Sequence, residues 1–430
     1  MNKLLILLFC FCFSCLCAQD TLSLEGAISI ALEQNYGIKI AKNDAEIAHL
    51  NNTRANAGLL PLVALNAGDN ITAVNFQQKL ANGTEIRRPL GIFNSFNTNI
   101  AASWTLYDGK RAWMEKDRLA TLDELGIVQL NARIQETAML VAIDWLEIAR
   151  LAQVLNNTDE LIVLLNERLK LATDRLNFGF GNKVDVLQAQ IDINDRKKDR
   201  ILTENAISNA KISLNTRLAR PTETTFETSK VTDKLPDSLN TNLILKQIEE
   251  KNPSLNALVK LQTISKINAK QIKASVLPQI GLSGAYAFQR NDNTTGFSLF
   301  SMQHGPTFGI NMTMPLYTGG NLKRQEEIAQ VQVENTGLQI AALQQNLKQE
   351  ALQLVGRSLS LRRALVLDTE TLSFSREQQK IALERFRLGQ SNALEVRESQ
   401  LALENALFEI QQTKFGLLVT DVLIQALIGE

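Results

Sequence analysis

Two columns of carboxylates are spaced so that they act together. Asp185, Asp192 and Asp199 recur every seven residues, with Asp195 close by. At the matching places in the second half of the chain stand Glu395 and Glu409, with Glu398 beside the first. A seven-residue step returns to nearly the same side of a helix, so each column makes one acidic face. Such a face gathers cations and repels anions through its field, without making or breaking a bond. Two placements fit the pattern, the lining of a lumen and an ordinary solvated helix face. Other chemistry is scarce. The only histidines, His49 and His304, lie far apart in sequence. No phosphate-binding glycine loop, nucleophile elbow or paired-histidine metal motif occurs. The reading is of a chain with no catalytic residue, cofactor or metal, whose energy must come from a partner.

Long helices must carry these faces. In the last of them Val396, Leu403, Ile410, Leu417 and Ile424 form one heptad column, and Leu394, Leu401, Phe408, Phe415 and Val422 form another. The columns lie two residues apart, about 200° around the helix. A bundle helix has one apolar stripe; a helix with two opposed seams has a neighbour on each side, as in the wall of a hollow cylinder. Between the seams runs a small, polar and acidic face: Glu395, Ala402, Glu409 and Gly416, then Glu398, Asn405 and Gln412, then Ser399, Ala406 and Thr413. From Trp113 to about Asn177 only Gly126 interrupts a helical pattern, giving roughly 95 Å of helix at about 1.5 Å per residue.

The chain is two copies of one unit. Asn35, Leu60 and Pro61 match Asn252, Leu277 and Pro278 at one offset. The offset then shortens by seven, and Tyr107, Gly109, Ala172, Arg175, Gly179 and Gln190 match Tyr317, Gly319, Ala382, Arg385, Gly389 and Gln400. Each copy reads as a helix beginning near a cap and ending near Leu60-Pro61 or its counterpart, two strands, a very long helix, a break and a long helix. The organisation expected is a signal peptide over 1–18, a first repeat over 19–218, a linker over 219–242 and a second repeat over 243–430. All four cysteines lie at positions 10, 12, 15 and 17, around an apolar run that ends at Ala18. That is the layout of a secretory leader. The competing reading makes Cys15 or Cys17 a lipidated anchor. Lys plus Arg and Asp plus Glu number 45 each, so the formal charge is zero, which argues against nucleic acid as the main partner.

Strands are expected at about 61–77, 96–107, 278–290 and 306–317, each alternating large apolar with small polar residues. In the third, Ile280, Leu282, Gly284, Tyr286 and Phe288 oppose Gln279, Gly281, Ser283, Ala285 and Ala287. The first is weakest, broken by Asp69. Polar stretches from Asn75 to Ser95 and from Asn291 to Gly305 are expected as loops. Runs of about ten residues suit tilted membrane strands. Four strands cannot close a spanning barrel, and open edges are not tolerated in lipid, so the chain must oligomerise. A periplasmic coiled-coil scaffold or adaptor would not need these apolar ladders. The fold class is mainly α with membrane β, built from tandem helix–hairpin–helix repeats.

The segment Arg175 to Gln190 (RLNFGFGNKVDVLQAQ) and its counterpart Arg385 to Gln400 (RFRLGQSNALEVRESQ) resemble the signature of the TolC-type outer membrane factor family. The resemblance covers nearly the whole chain after the leader. It implies a homotrimer whose chains build one twelve-stranded barrel in outer membrane lipid, continued by an α-helical tunnel into the periplasm. It further implies a periplasmic adaptor (membrane fusion) protein and an inner-membrane RND or ABC transporter as partners, in efflux or, alternatively, in type I protein secretion. The turns at Phe178, Gly179, Leu388 and Gly389 would be where the adaptor docks. Glu395 and Glu398 would form two carboxylate rings at a periplasmic aperture, with Asp185 and Asp192 on the matching helix. The chain departs from the family's pattern in the bonds that latch this aperture. Phe386 stands where a tyrosine would donate a hydrogen bond, and Ser391 where an arginine would bridge, although the acceptor Asp185 is present.

Overall fold

A computed structural model describes residues 21–229, 240–296 and 298–429. The leader and its cysteines lie outside them, as do residues 230–239 of the expected linker. In chain order the elements are β1 (Thr21–Leu22), α1 (Leu24–Gln34), α2 (Tyr36–Asn51), β2 (Leu62–Lys79), β3 (Glu85–Tyr107), α3 (Arg111–Asn177), α4 (Lys183–Arg217), β4 (Glu227–Thr228), α5 (Thr241–Lys251), α6 (Pro253–Ala274), β5 (Gln279–Asn293), β6 (Phe300–Thr313), α7 (Asn321–Arg387) and α8 (Ala393–Ile428). None of the described helices is long and apolar enough to cross a membrane. The chain divides into two compact units, one of residues up to 42 with 130–253 and 343–430, the other of 43–129 with 254–342.

The first unit is helical. Its main core joins Leu22, Ala27, Ala31, Val141, Trp145, Ile148, Leu214, Leu218 and Phe226. Ser23 caps α1, its Oγ accepting from Gly26 N at 3.0 Å, which satisfies one of the four donors that every helix start leaves free. β1 pairs in parallel with β4, and Trp145 Nε1 donates to Leu22 O at 2.9 Å. The described start of the expected linker is therefore folded back rather than free. Phe226 is buried in the core under the Arg220 guanidinium, 4.6 Å from its ring, and Asn215 Nδ2 donates to Thr222 O and Thr224 O at 3.0 and 2.8 Å. Polar composition marks a segment's surface, but one aromatic is enough to fasten it.

The opening helix of each repeat is broken, where the sequence pattern suggests one helix running to Pro61. Asn35 ends α1 and opens α2: its Oδ1 accepts from Ile38 N at 3.1 Å while its Nδ2 donates to Arg217 O at 2.8 Å. Its repeat partner Asn252 stands between α5 and α6, its Nδ2 donating to Leu427 O at 3.0 Å. Asn35 thus satisfies a helix start, and both asparagines satisfy a carbonyl at the end of another helix. α2 then stops at Asn51, well short of Pro61.

The second unit holds the sheet, all antiparallel, in the order β2-β3-β5-β6. Residues directly opposite in such a sheet share a face. Val63 stands opposite Ala102, Gly284 and Phe308 across the four strands; Leu65 opposite Ile100, Tyr286 and Pro306; Trp104 opposite Leu282 and Ile310. The four apolar ladders therefore fall on one face. The other carries Asn66, Asn99, Ala287 and Gly305 in one row and Asn97, Gln289 and Gln303 in another. Asn66 Nδ2 donates to Asn99 Oδ1 at 3.0 Å, and Gln303 Nε2 to Gln289 Oε1 at 2.6 Å. From Ile280 to Phe288 the apolar band is roughly 27 Å along the strand at about 3.4 Å per residue.

The strands are longer than their apolar stretches. Most of Asn75–Ser95 pairs as hairpin, apart from the turn around Asn82-Gly83 and a bulge at Asn75, Pro89 and Leu90. Backbone pairing continues past the apolar band until a turn dipeptide ends it. The second loop is likewise shorter than Asn291–Gly305, because β5 reaches Asn293 and β6 begins at Phe300. Conversely β6 ends at Thr313, so Leu316 and Tyr317 lie beyond it; Pro315 has no N–H to continue the ladder. Within the same unit Gly126 of α3 sits against α2, where a Cβ would meet Ala45 Cα at 3.2 Å and Ala48 Cβ at 3.3 Å. Asp123 accepts from Asn52 Nδ2 at 2.9 Å and lies 3.1 Å from His49 Nδ1, which gives that histidine a structural part.

Asn252→Ala removes a buried donor from a buried carbonyl and should cost about 1–3 kcal/mol. Asn35→Ala should cost less, because Asn35 is only half-buried. Thermal unfolding followed by the helical circular dichroism signal checks both.

Candidate functional site

The candidate site is the end of the helical unit where α3 meets α4 and α7 meets α8. Both turns are built alike. Phe178, Gly179 and Phe180 donate from their backbone N–H groups to Asp174, Leu176 and Arg175 carbonyls at 3.0, 3.1 and 2.9 Å. Leu388, Gly389 and Gln390 repeat this with Glu384, Phe386 and Arg385 at 3.0, 3.1 and 2.8 Å. Gly179 and Gly389 have φ of 79° and 75°, the left-handed conformation that ends a helix and that a Cβ disfavours. Asn182 and Asn392 then cap α4 and α8, accepting from Val184 N at 3.0 Å and Glu395 N at 2.9 Å. Side chains at the turns point outward: Phe178 is 76% exposed, Phe180 80% and Leu388 68%. Phe180 was not among the residues singled out from the sequence, although it forms part of the same apolar tip.

Two arginines dominate the turns, and the sequence motif contains both without showing their partners. Arg385 Nη1 donates to Glu395 Oε1 at 2.7 Å, and its Nη2 reaches Gln390 O at 3.4 Å. Glu395 is therefore an ion-paired carboxylate, whereas Glu398 is exposed. Arg175 crosses to the other repeat. Its Nη1 donates to Phe386 O at 2.9 Å and reaches Ser391 O at 3.4 Å, and its guanidinium lies 4.5 Å from the Phe386 ring. Phe386 is buried with Leu383 and Val396, against Leu171 and Ala393. Its aromatic body serves as core and as the platform for Arg175. Ser391 takes part through its carbonyl, while its Oγ donates to Asn392 O at 3.2 Å. Asp185 is half-buried in the first turn of α4, and its carboxylate has no hydrogen bond or ion pair among the described residues.

Asp192 stands apart from these. It is turned in between helices and accepts from Arg168 Nη2, from Gln188 Nε2 at 2.9 Å and from Arg397 Nε at 3.1 Å. Arg168 is itself buried and donates from Nη1 to Gln400 Oε1 at 2.8 Å. Burial works to raise the Asp192 carboxyl, but the bonds from Arg168, Gln188 and Arg397 outweigh it and hold the group below the ordinary range. One turn further along α8, Glu404 pairs with Arg196, which also meets Asp199 at 2.9 Å. Here burial prevails and pushes Glu404 up despite Arg196. The network of Arg168, Gln188, Asp192, Arg397 and Gln400 ties α3, α4 and α8 together. Sequence reasoning found only Asp192 as a member of a face, because charge periodicity does not reveal which side chain meets an arginine from another helix.

The seams of α8 are unequal. Val396, Leu403, Ile410, Leu417 and Ile424 are all buried within the chain. In the second column Leu394, Leu401 and Phe408 are 58%, 42% and 54% exposed, while Phe415 and Val422 pack on the main core. The small face is narrower than its sequence suggests. Ser399, Ala406 and Gly416 are buried, and a Cβ on Gly416 would already meet Leu361 of α7 at 3.4 Å. These small residues let a neighbouring helix approach.

The pattern of the family described as outer membrane efflux protein matches residues 27–220 and 244–430. The outer membrane protein TolC of Vibrio cholerae is 24% identical over 290 residues, 65% of this chain and 62% of that protein, so the match spans under two thirds of the relative's length. The outer membrane efflux protein BepC of Brucella suis is 20% identical over 345 residues, 77% of this chain and 68% of the other. Among solved structures, the outer-membrane channel OprN superposes with a TM-score of 0.78 at 15% identity, covering 94% of this chain and 89% of its own. The CmeC outer membrane channel of Campylobacter jejuni gives 0.79 at 14%, covering 94% and 85%. The tandem repeat, the membrane-type sheet and a family match over both halves lead to one conclusion: the chain belongs to the outer membrane efflux protein family and is a protein of the outer membrane.

Proposed function

We propose that three copies of this chain form a passive exit duct through the outer membrane that continues into the periplasm, working with a periplasmic adaptor and an energised inner-membrane pump of RND or ABC type. The observation that carries this reading is the four-stranded sheet with one apolar face, one polar face and two unpaired edges. In hydrocarbon an unpaired strand edge leaves several kcal/mol per backbone group unsatisfied, so β2 of one copy must meet β6 of the next. Three sheets of four strands supply twelve, within the range of membrane barrels. The half-open seam of α8 supports the same assembly, since Leu394, Leu401 and Phe408 wait for a neighbouring helix. The exposed turns at Phe178, Gly179, Leu388 and Gly389 are the natural docking points for an adaptor, and the pump sets the cargo.

Purified from membranes, the protein should run as a heat-modifiable trimer and conduct in planar bilayers with a preference for cations. A water-soluble monomer that needs no detergent would defeat the proposal. Glu398→Gln should lower the cation-to-anion permeability ratio by about twofold, the field of one carboxylate ring. Glu395→Gln should do less, because Arg385 already compensates that charge.

The duct wall must stay closed between helices, and its ion-pair cluster makes this pH-dependent in two opposite senses. Glu404 holds its proton to higher pH in the fold than unfolded, so stability rises as pH falls through its raised value down to the ordinary one. Asp192 is held below the ordinary value near 4, so its contribution is present above that value and is lost as pH falls through its depressed one. Glu404→Gln should flatten the first limb. Asp192→Asn should cost about 3 kcal/mol per chain near neutral pH, by leaving Arg168 buried without its anion, and should weaken the acid limb. Unfolding midpoints of the detergent-solubilised protein across pH report both.

A further inference from the structure

We propose that the helix-side end of the sheet carries a basic collar that holds the phosphate groups of anionic phospholipids in the leaflet facing the periplasm. The collar lies in the four chain segments that leave this end. Residues 52–60, 108–112, 270–278 and 316–325 hold seven cations and one carboxylate. That carboxylate is already used: Asp108 Oδ2 accepts from Ala112 N at 2.8 Å at the start of α3. Acids return within the next turn of α3 and α7, at Glu115 and Glu326. Arg54, Lys110, Arg111, Lys270, Lys323 and Arg324 are all exposed, and none of them has an ion pair among the described residues. Towards the sheet their neighbours are the exposed Trp104, Tyr107, Leu316 and Tyr317. An apolar band, then aromatics, then unpaired cations is the order of hydrocarbon, interface and headgroups in a bilayer.

Lys110 carries the argument furthest. Its φ is 68°, the left-handed conformation, and its repeat counterpart Gly320 has the same conformation at 77°. Glycine takes it without strain, whereas a lysine must accommodate its Cβ. The turn after Gly109 thus bears a lysine where the backbone favours glycine, and no hydrogen bond or ion pair among the described residues accounts for that side chain. Arg111 follows it directly, and Trp113, in the first turn of α3, is 58% exposed. Trp104 Nε1 donates to Leu59 O at 3.1 Å, which fixes the end of β3 against the segment that carries Arg54. The collar continues the apolar face of the sheet, so its occupant is a lipid rather than a soluble anion. Long basic side chains lay their stems along apolar surface and extend their charges to the headgroups, and each one near an anionic surface strengthens the attraction severalfold. That this end faces the periplasm rests on the exit-duct reading.

The chain has three tryptophans. Trp104 and Trp113 flank the collar, and Trp145 is buried in the helical core. Quenching of their fluorescence by brominated lipid therefore reports which lipid sits at the collar. The full-length protein is reconstituted in vesicles that mix phosphatidylcholine with phosphatidylglycerol, one of the two brominated at a time. The unaltered protein should prefer phosphatidylglycerol, and the preference should shrink as sodium chloride is added. Lys110→Gly should lower it about fivefold, Lys110→Gly with Arg111→Gln should lower it further, and Lys110→Arg should keep it. Lys110→Gly should also raise the unfolding midpoint, because glycine relieves the left-handed residue. A lysine with a merely structural part would give the stability change without the lipid change, and that result overturns the collar. So does a preference that is absent from the unaltered protein or insensitive to salt. Inorganic phosphate should displace the lipid no better than chloride at equal ionic strength; stronger displacement marks a site for the free ion and overturns the lipid assignment. Channel current on the same preparations separates the two readings. Lipid preference without current removes the duct and keeps the collar, and current with equal quenching by both lipids removes the collar alone.

Discussion

Backbone amides cannot be left unpaired in hydrocarbon, and much else in this chain follows from that. A sheet of four strands ends in two bare edges. Water would satisfy those edges, but lipid cannot. In the proposed assembly the demand for a neighbouring strand at each edge is met by neighbouring chains. The exposed part of one α8 seam and the buried whole of the other are the helical expression of the same requirement. One seam builds the subunit; in the proposed trimer the other meets the next.

The sheet was legible in the sequence because a period of two is a strict signal. Once large residues alternate with small polar ones in four segments, the register has little choice, and a slip of one residue would put Asn99 and Gln289 on the apolar face. Its ends were less legible. Pairing runs beyond the apolar band because backbone bonds do not depend on side-chain polarity, and Asn82-Gly83 and Pro315 mark the real limits. The helices show the same division. Their extent was readable from the absence of proline, but the break at Asn35 was not, because nothing in a helical pattern reveals that an asparagine amide has a carbonyl from another helix waiting for it.

The site was legible to a smaller degree. The glycine turns and their flanking residues stand out as a motif, since a left-handed residue between two helices has few solutions. Charge periodicity placed Asp185, Asp192, Glu395 and Glu398 on faces. It could not sort them into a free carboxylate, a half-buried hub and a paired one, because that depends on Arg168, Arg385 and Arg397. Duplication preserved the backbone of the turns while their side chains diverged, so the two repeats are best read as one scaffold carrying two different chemistries.

The short parallel pairing of Thr21 with Glu227 and Leu22 with Thr228 has a bearing on how the protein is made. Strands that lie some two hundred residues apart cannot meet until the intervening chain has emerged, and closing so long a loop is slow. Leu22 also supplies the acceptor for Trp145, so the helical core stays incomplete during this wait. A chain handed across one membrane on its way to another gains from such delay: Thr21 and Leu22 find no partner until Glu227 and Thr228, beyond the first repeat, have arrived.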